Sequence, residues 1–156
     1  FGPANNIVAA WAALQDSTLE NGSLHVSPKT HLGKFYDHSY PEDGEVNKAY
    51  FGIKEYEKFS GQSIDLVMKK GDIVFFHPLV VHGSGINKTD GYRKSMCCHF
   101  ASSECKYIPI EGTVQELVAK EVMGYLKKKM EKEKTAVPFS DYNSVWKFKS
   151  ALIAGE

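Results

Sequence analysis

The chain has few cysteines, no excess of charge of either sign and no long apolar run, and each absence removes a class of protein. Cys97, Cys98 and Cys105 are its three cysteines in 156 residues. They match neither a zinc ribbon nor a redox CxxC pair. Cys97 and Cys98 are adjacent, so on a strand they face opposite sides and do not easily bridge. The expectation is reduced thiols in an intracellular protein. Lys+Arg and Asp+Glu each number 19, a net charge of zero, so no net field argues for nucleic acid or an anionic membrane as partner. The longest apolar run, Ile7 to Leu14, is far below the ~20 residues of a membrane-spanning helix, so no membrane span is expected. GxSxG, a Walker A loop, GxGxxG after a strand, HExxH and an EF-hand loop are all missing, which leaves several enzyme classes without support. The chain begins Phe1-Gly2-Pro3 with neither initiator Met nor signal peptide, and we expect the numbering to start inside a larger polypeptide. Ala154-Gly155-Glu156 carry no receptor-read address.

What is present suits one globular domain: 42% of residues are hydrophobic and the mean hydropathy is −0.33. Ile7 to Leu14 reads as a strand buried on both faces, and Leu24-His25-Val26 as a brief second strand. From Gly33 to Gln62 no period is sustained, and this long loop is rich in aromatics, six acidic residues and four lysines. Loops of that length often cover a functional site. Strands are expected again at Ile64 to Met68, Ile73 to Phe76, Leu79 to His82 (broken by Gly83-Ser84-Gly85), Tyr92 to Phe100 and Tyr107-Ile108. Short strands at this spacing indicate a sandwich or small barrel. From Thr113 the period becomes helical, with Thr113 and Glu116 as a capping box, and a shorter helix starts near Asp141. The reading is mainly β with C-terminal helices: a β core over 1–112 and a helical tail over 113–156 packed on the same domain.

Of six histidines, His82 differs by its surroundings. An apolar strand delivers it beside glycines that let a ligand come close. Ser84 returns to the same face two residues on, and Arg93 follows on the next strand. A guanidinium on an apolar strand is costly to desolvate unless it meets an anion, and its fork suits a carboxylate. An imidazole for a metal and a fork for a carboxylate make a chemically sensible pair, although a surface hairpin with an ordinary arginine has the same spacing.

The segment Asp72 to Ser102, with HGSGINKTDGYRKSMCCHFAS at its heart, together with GSLHVSPKTHLG and VNKAYFGIKEY, resembles the C-terminal half of the phytanoyl-CoA 2-hydroxylase family of iron(II)- and 2-oxoglutarate-dependent oxygenases. The resemblance extends over nearly the whole chain. It implies a double-stranded β-helix, or jelly-roll, lacking its N-terminal part, with the His82 and Arg93 strands in opposing sheets rather than in one hairpin. It implies that His82 is an iron ligand and that Arg93 pairs with the far carboxylate of 2-oxoglutarate. Ser84 then becomes a second contact to that co-substrate and Trp11 a wall of the same pocket, though a core aromatic would read the same way. Asn87 falls on the substrate side. The implied cofactors are Fe(2+) and 2-oxoglutarate, with ascorbate as an accessory. The implied reaction is 2-hydroxylation of a branched acyl-CoA in peroxisomal fatty acid alpha-oxidation. The Gly33 to Gln62 loop is a candidate lid, and its excess of acidic residues leaves the CoA phosphates to Lys88, Lys94 or a part upstream of Phe1.

The family pattern also requires an H-x-D/E motif, and no histidine here is followed two positions later by Asp or Glu. The other two metal ligands are therefore expected upstream of Phe1, and the chain alone is expected to be inactive. Two alternatives stand beside this reading: a non-catalytic jelly-roll binding module, and a related oxygenase acting on another small molecule. The sequence leaves the oligomeric state open.

Overall fold

A computed structural model describes residues 2–40, 52–136, 140–149, 151 and 153–154, and the side chains only up to 145 within the last helix. The strands and helices in chain order are β1 Ile7–Ala13, β2 Leu24–Ser27, β3 His38–Ser39, β4 Gly52–Ile53, α1 Glu57–Ser60, β5 Ile64–Leu66, β6 Ile73–Phe76, β7 Val81–Ser84, β8 Ser95–Ala101, α2 Val114–Lys132 and α3 Tyr142–Lys149. Two compact units emerge: residues 1–37 with 53–108, and 38–52 with 109–156.

The first unit contains two antiparallel three-stranded sheets, ordered β6-β1-β8 and β5-β2-β7. β1 alternates strictly: Ala9, Trp11 and Ala13 are buried while their neighbours are not. It is therefore buried on one face rather than both, and its alanines sit where the period of two puts them. The register places Val74, Phe76, Ser95, Cys97 and His99 on the same face as Trp11. In the other sheet His82 and Ser84 share a face with Val26 and Leu24. Trp11, Ala13, Leu24 and Met68 form the buried core, with Leu66, Val74 and Phe76 packed against it, so these two faces are the inner ones. The outer face of β6-β1-β8 is equally apolar yet exposed, with Val8, Ile73, Phe75, Met96 and Phe100 on it. Cys97 and Cys98 fall on opposite faces as adjacency requires, and all three cysteines are free.

Several boundaries differ from expectation. Gly83 and Ser84 continue β7 instead of breaking it, and Leu79 and Val80 belong to the preceding turn. The reason lies across the sheet: a Cβ at Gly83 would sit 2.6 Å from Nε2 of His25, so glycine here admits the neighbouring imidazole rather than ending a strand. β5 stops at Leu66, and Met68 instead exchanges backbone hydrogen bonds with Ser17. The last strand starts at Ser95, leaving Tyr92, Arg93 and Lys94 in its run-up. Tyr107 and Ile108 form no strand; the pairing falls to Lys106, bridged to Gly2. The stretch 33–62 contains β3, β4 and α1, while 41–51, including Tyr50 and Phe51, lies outside the described residues.

In the second unit α2 covers the predicted helical stretch, but its buried residue is Ala119, and Leu117 and Tyr125 of the expected apolar stripe are exposed. In α3 Val145 is buried, and the expected Trp146, Phe148 and Leu152 side chains lie outside the described residues. The capping box at α2 does not form. The Thr113 hydroxyl donates to the Ile110 carbonyl at 2.6 Å, and Glu116 accepts from the Gly112 N–H at 2.8 Å. α3 has the better cap: Asp141 Oδ1 accepts from the Ser144 N–H at 2.9 Å. Among the described residues no helix is long and apolar enough to cross a membrane.

Candidate active site

The proposed residues come from both sheets of the first unit. His82 lies on β7, its ring 4.9 Å from that of Phe76 on the opposing sheet. Its Nδ1 is 2.8 Å from the Val80 carbonyl. A carbonyl only accepts, so Nδ1 carries the proton and Nε2, on an exposed ring, presents a lone pair. Ser84 stands two residues on, along the same face.

Arg93 is half-buried in the segment leading into β8, whose sheet faces that of His82, and it fastens three segments. Its Nε donates to the Gly22 carbonyl at 3.1 Å, Nη1 to Ser95 Oγ at 3.2 Å, and Nη2 to Ser84 Oγ at 3.0 Å. The guanidinium lies over the Trp11 ring, 5.2 Å from its centroid, a cation–π contact. Trp11 is thus both core aromatic and platform. Every one of these hydrogen-bond acceptors is neutral, and among the described residues no carboxylate pairs with Arg93. A half-buried guanidinium so placed, beside a hydroxyl that can donate as well as accept, fits a carboxylate ligand.

Iron fits less completely. His82 Nε2 suits a divalent metal, but among the described residues no three of His, Cys, Asp and Glu gather into a metal-binding group. The described residues therefore do not by themselves make a three-ligand metal site.

Asn87 is bonded within its own loop. Its Nδ2 donates to the Gly91 carbonyl at 2.8 Å, and its Oδ1 accepts from the Thr89 N–H and hydroxyl at 2.9 and 2.7 Å. The side chain shapes its own loop, while the Lys88 N–H ties that loop to the Glu20 carbonyl at 2.9 Å.

Three groups escaped the sequence reading. The Gly22 carbonyl anchors Arg93, and Gly22 has φ +83 with no room for a Cβ; the signal available was the Asn21-Gly22 turn pair. Ser95 also supports the guanidinium, and alternation from Cys97 could have put it inward. Cys97 itself, paired with Trp11, lies on the inner face. Partial burial, then the neighbouring Cys98, pushes its thiol pKa up.

Comparison with known proteins matches this geometry to a lineage. A family model described as phytanoyl-CoA dioxygenase matches residues 1–95. The peroxisomal phytanoyl-CoA dioxygenase of Rattus norvegicus is 46% identical over 157 residues, covering 100% of this chain and 45% of that protein. The Homo sapiens protein of the same name is 45% identical with the same coverage. A probable phytanoyl-CoA dioxygenase of Caenorhabditis elegans is 41% identical, over 99% of this chain and 51% of its own length. The chain thus spans about half the length of these relatives. Among solved structures, the epimerase SnoN in complex with Fe3+, alpha ketoglutarate and nogalamycin RO superposes with a TM-score of 0.53 at 23% identity, over 74% of this chain and 42% of that one. The apo non-heme monooxygenase ThoJ gives 0.51 at 21%, over 67% and 36%. Both likenesses show the fold, the jelly-roll of 2-oxoglutarate-dependent oxygenases. With a family model over residues 1–95 and close relatives along its whole length, the chain belongs to the phytanoyl-CoA dioxygenase family.

Proposed function

We propose that the complete protein is an iron(II)- and 2-oxoglutarate-dependent oxygenase that 2-hydroxylates a phytanoyl-CoA-like branched acyl-CoA, and that this chain supplies its co-substrate cradle. The observation that carries the reading is Arg93, half-buried, aromatic-backed and bonded only to neutral acceptors. In this role Arg93 and Ser84 hold the far carboxylate of 2-oxoglutarate. Trp11 keeps the guanidinium flat and water away from its back. The Gly22 and Ser95 oxygens take the remaining N–H groups, so the fork is aimed before the ligand arrives and little ordering is left to do on binding. His82 offers Nε2 from the facing sheet. Iron(II), when bound, supplies the activation of oxygen, and the protein contributes positioning and exclusion of water. The peroxisome is the compartment this reading implies, from the names of the mammalian relatives.

The test is a 2-oxoglutarate titration of the complete protein. Arg93→Ala is expected to weaken co-substrate binding by about 2–5 kcal/mol, the usual loss on truncating one partner of a hydrogen-bonded charge pair. Unchanged 2-oxoglutarate dependence overturns the assignment. A second reading, a jelly-roll module that binds a dicarboxylate without catalysis, is favoured by the lack, among the described residues, of three metal-binding side chains gathered together. It predicts 2-oxoglutarate binding that is indifferent to added iron(II) and no hydroxylated acyl-CoA.

A further inference from the structure

We infer that His77, outside the co-substrate cradle, is a positioning residue that fixes the tautomer of His82; the inference rests on the proposed reading of His82 as the metal-directed imidazole. His77 opens the turn between β6 and β7, and both its nitrogens are occupied. The Leu79 N–H donates to Nδ1 at 3.2 Å, which leaves the proton on Nε2, and Nε2 donates to Asn5 Oδ1 at 3.1 Å. The His77 carbonyl accepts from the Val80 N–H at 3.0 Å. The ring of His31 packs on that of His77, centroids 5.3 Å apart and tilted by 40°.

The consequence falls on one peptide group. The Val80 carbonyl and the Val81 N–H belong to the same planar unit, so fixing one aims the other. The Val81 N–H donates to Thr30 Oγ1 at 2.9 Å, and Thr30 Oγ1 donates to the Ser27 carbonyl at 2.7 Å. On the other side, the His77 ring accepts from the Leu79 N–H and so holds the residue that leads directly into Val80, beyond the main-chain bond that any residue at 77 would make. Held from both directions, the Val80 carbonyl points at His82 Nδ1 at 2.8 Å. It accepts the proton that would otherwise be shared between the two ring nitrogens, and so keeps the lone pair at Nε2. A second histidine, bonded through its own side chain to the segment ahead of β1, thereby decides which nitrogen of His82 is free.

Long-range 1H–15N correlation spectra of the imidazoles in labelled protein test this directly. The wild type is expected to show His82 protonated at Nδ1. His77→Ala removes the acceptor for Leu79 and the link to Asn5, and the Nε2–H form of His82 is expected to rise to a comparable population. His77→Asn retains an oxygen placed to accept from the N–H two residues on, as in an Asx turn, and is expected to restore the wild-type pattern. An unchanged His82 tautomer in His77→Ala overturns the inference, as does an equal perturbation in His77→Asn. Should His77→Ala fail to fold, Asn5→Ala frees the same ring at Nε2, and the absence of any Nε2–H form of His82 there overturns it as well. The Arg93→Ala titration separates the two claims. Unchanged co-substrate affinity with a tautomer shift in His77→Ala refutes the function and leaves the positioning role standing; the opposite pair does the reverse.

Discussion

Gly22→Ala is the substitution from which the geometry predicts most. Gly22 has φ +83, and a Cβ there would lie 2.5 Å from the Gly85 carbonyl oxygen and 3.2 Å from the Asn87 nitrogen. Both are backbone atoms and cannot swing aside. Left-handed backbone costs an L-residue roughly 1–2 kcal/mol, and forcing a methyl into filled space typically costs about 1–3 kcal/mol. A destabilisation of about 2–5 kcal/mol follows, which at about 2–4 °C per kcal/mol for a chain of this size lowers Tm by roughly 4–20 °C. The same methyl must push the Gly22 carbonyl off Arg93 Nε, and a hydrogen bond to a charged group is worth about 1.5–3 kcal/mol. Co-substrate affinity should therefore fall about 10- to 100-fold, read by calorimetric titration with 2-oxoglutarate. Gly71 is the control, because its φ is +97 but a Cβ there meets nothing within 4 Å. Gly71→Ala carries the backbone strain alone, roughly 1–2 kcal/mol, and leaves 2-oxoglutarate binding untouched. Equal effects of the two substitutions on stability and on binding would refute the reasoning.

Two further outcomes are expected. Hydrogen bonds from the Ser144 backbone, then from the Ser140 and Ser144 side chains, hold the Asp141 carboxyl below its ordinary value. A depressed carboxylate contributes stability above its unfolded pKa and loses it as pH falls through the folded one. Helical circular dichroism from α3 should therefore decline below about pH 4, and Asp141→Asn, which caps without ionising, should lack that component; identical acid titrations would contradict the cap. Burial raises the Cys97 thiol pKa, so its thiolate fraction near pH 8 lies below that of an ordinary cysteine. Alkylation of Cys97 by iodoacetamide, followed by mass spectrometry, should be slower than that of free cysteine at that pH, and an equal or faster rate would count against it.

The extent of what could be read in advance follows from the range of the interactions involved. α2 was legible because a period of 3.6 is written into neighbouring residues, and β1 and β6 because short apolar runs bounded by turn residues mark strands, although the one-sided burial of β1 was not read. His82 and Arg93 could be singled out in kind, as an imidazole and a guanidinium in apolar surroundings with chemistry to offer. Gly83 misled for the opposite reason: it read as a strand breaker, yet its small size serves His25 on the adjacent strand. The capping box at Thr113 had the right residues, but Ile110 and Gly112 offered the two side chains other partners.

The sequence by itself thus determined a β core with helices after it, and which side chains had chemistry to offer. It also determined the family, through motifs that are contiguous in the chain. Tertiary structure decided that Arg93 precedes its strand and leans on Gly22 across 71 residues, and that the Asn87 side chain is bonded within its own loop. It also decided which nitrogen of His82 is free, through the Val80 carbonyl. Those outcomes depend on which distant backbone atoms arrive within about 3 Å, the reach of a hydrogen bond, and a linear pattern does not encode that distance.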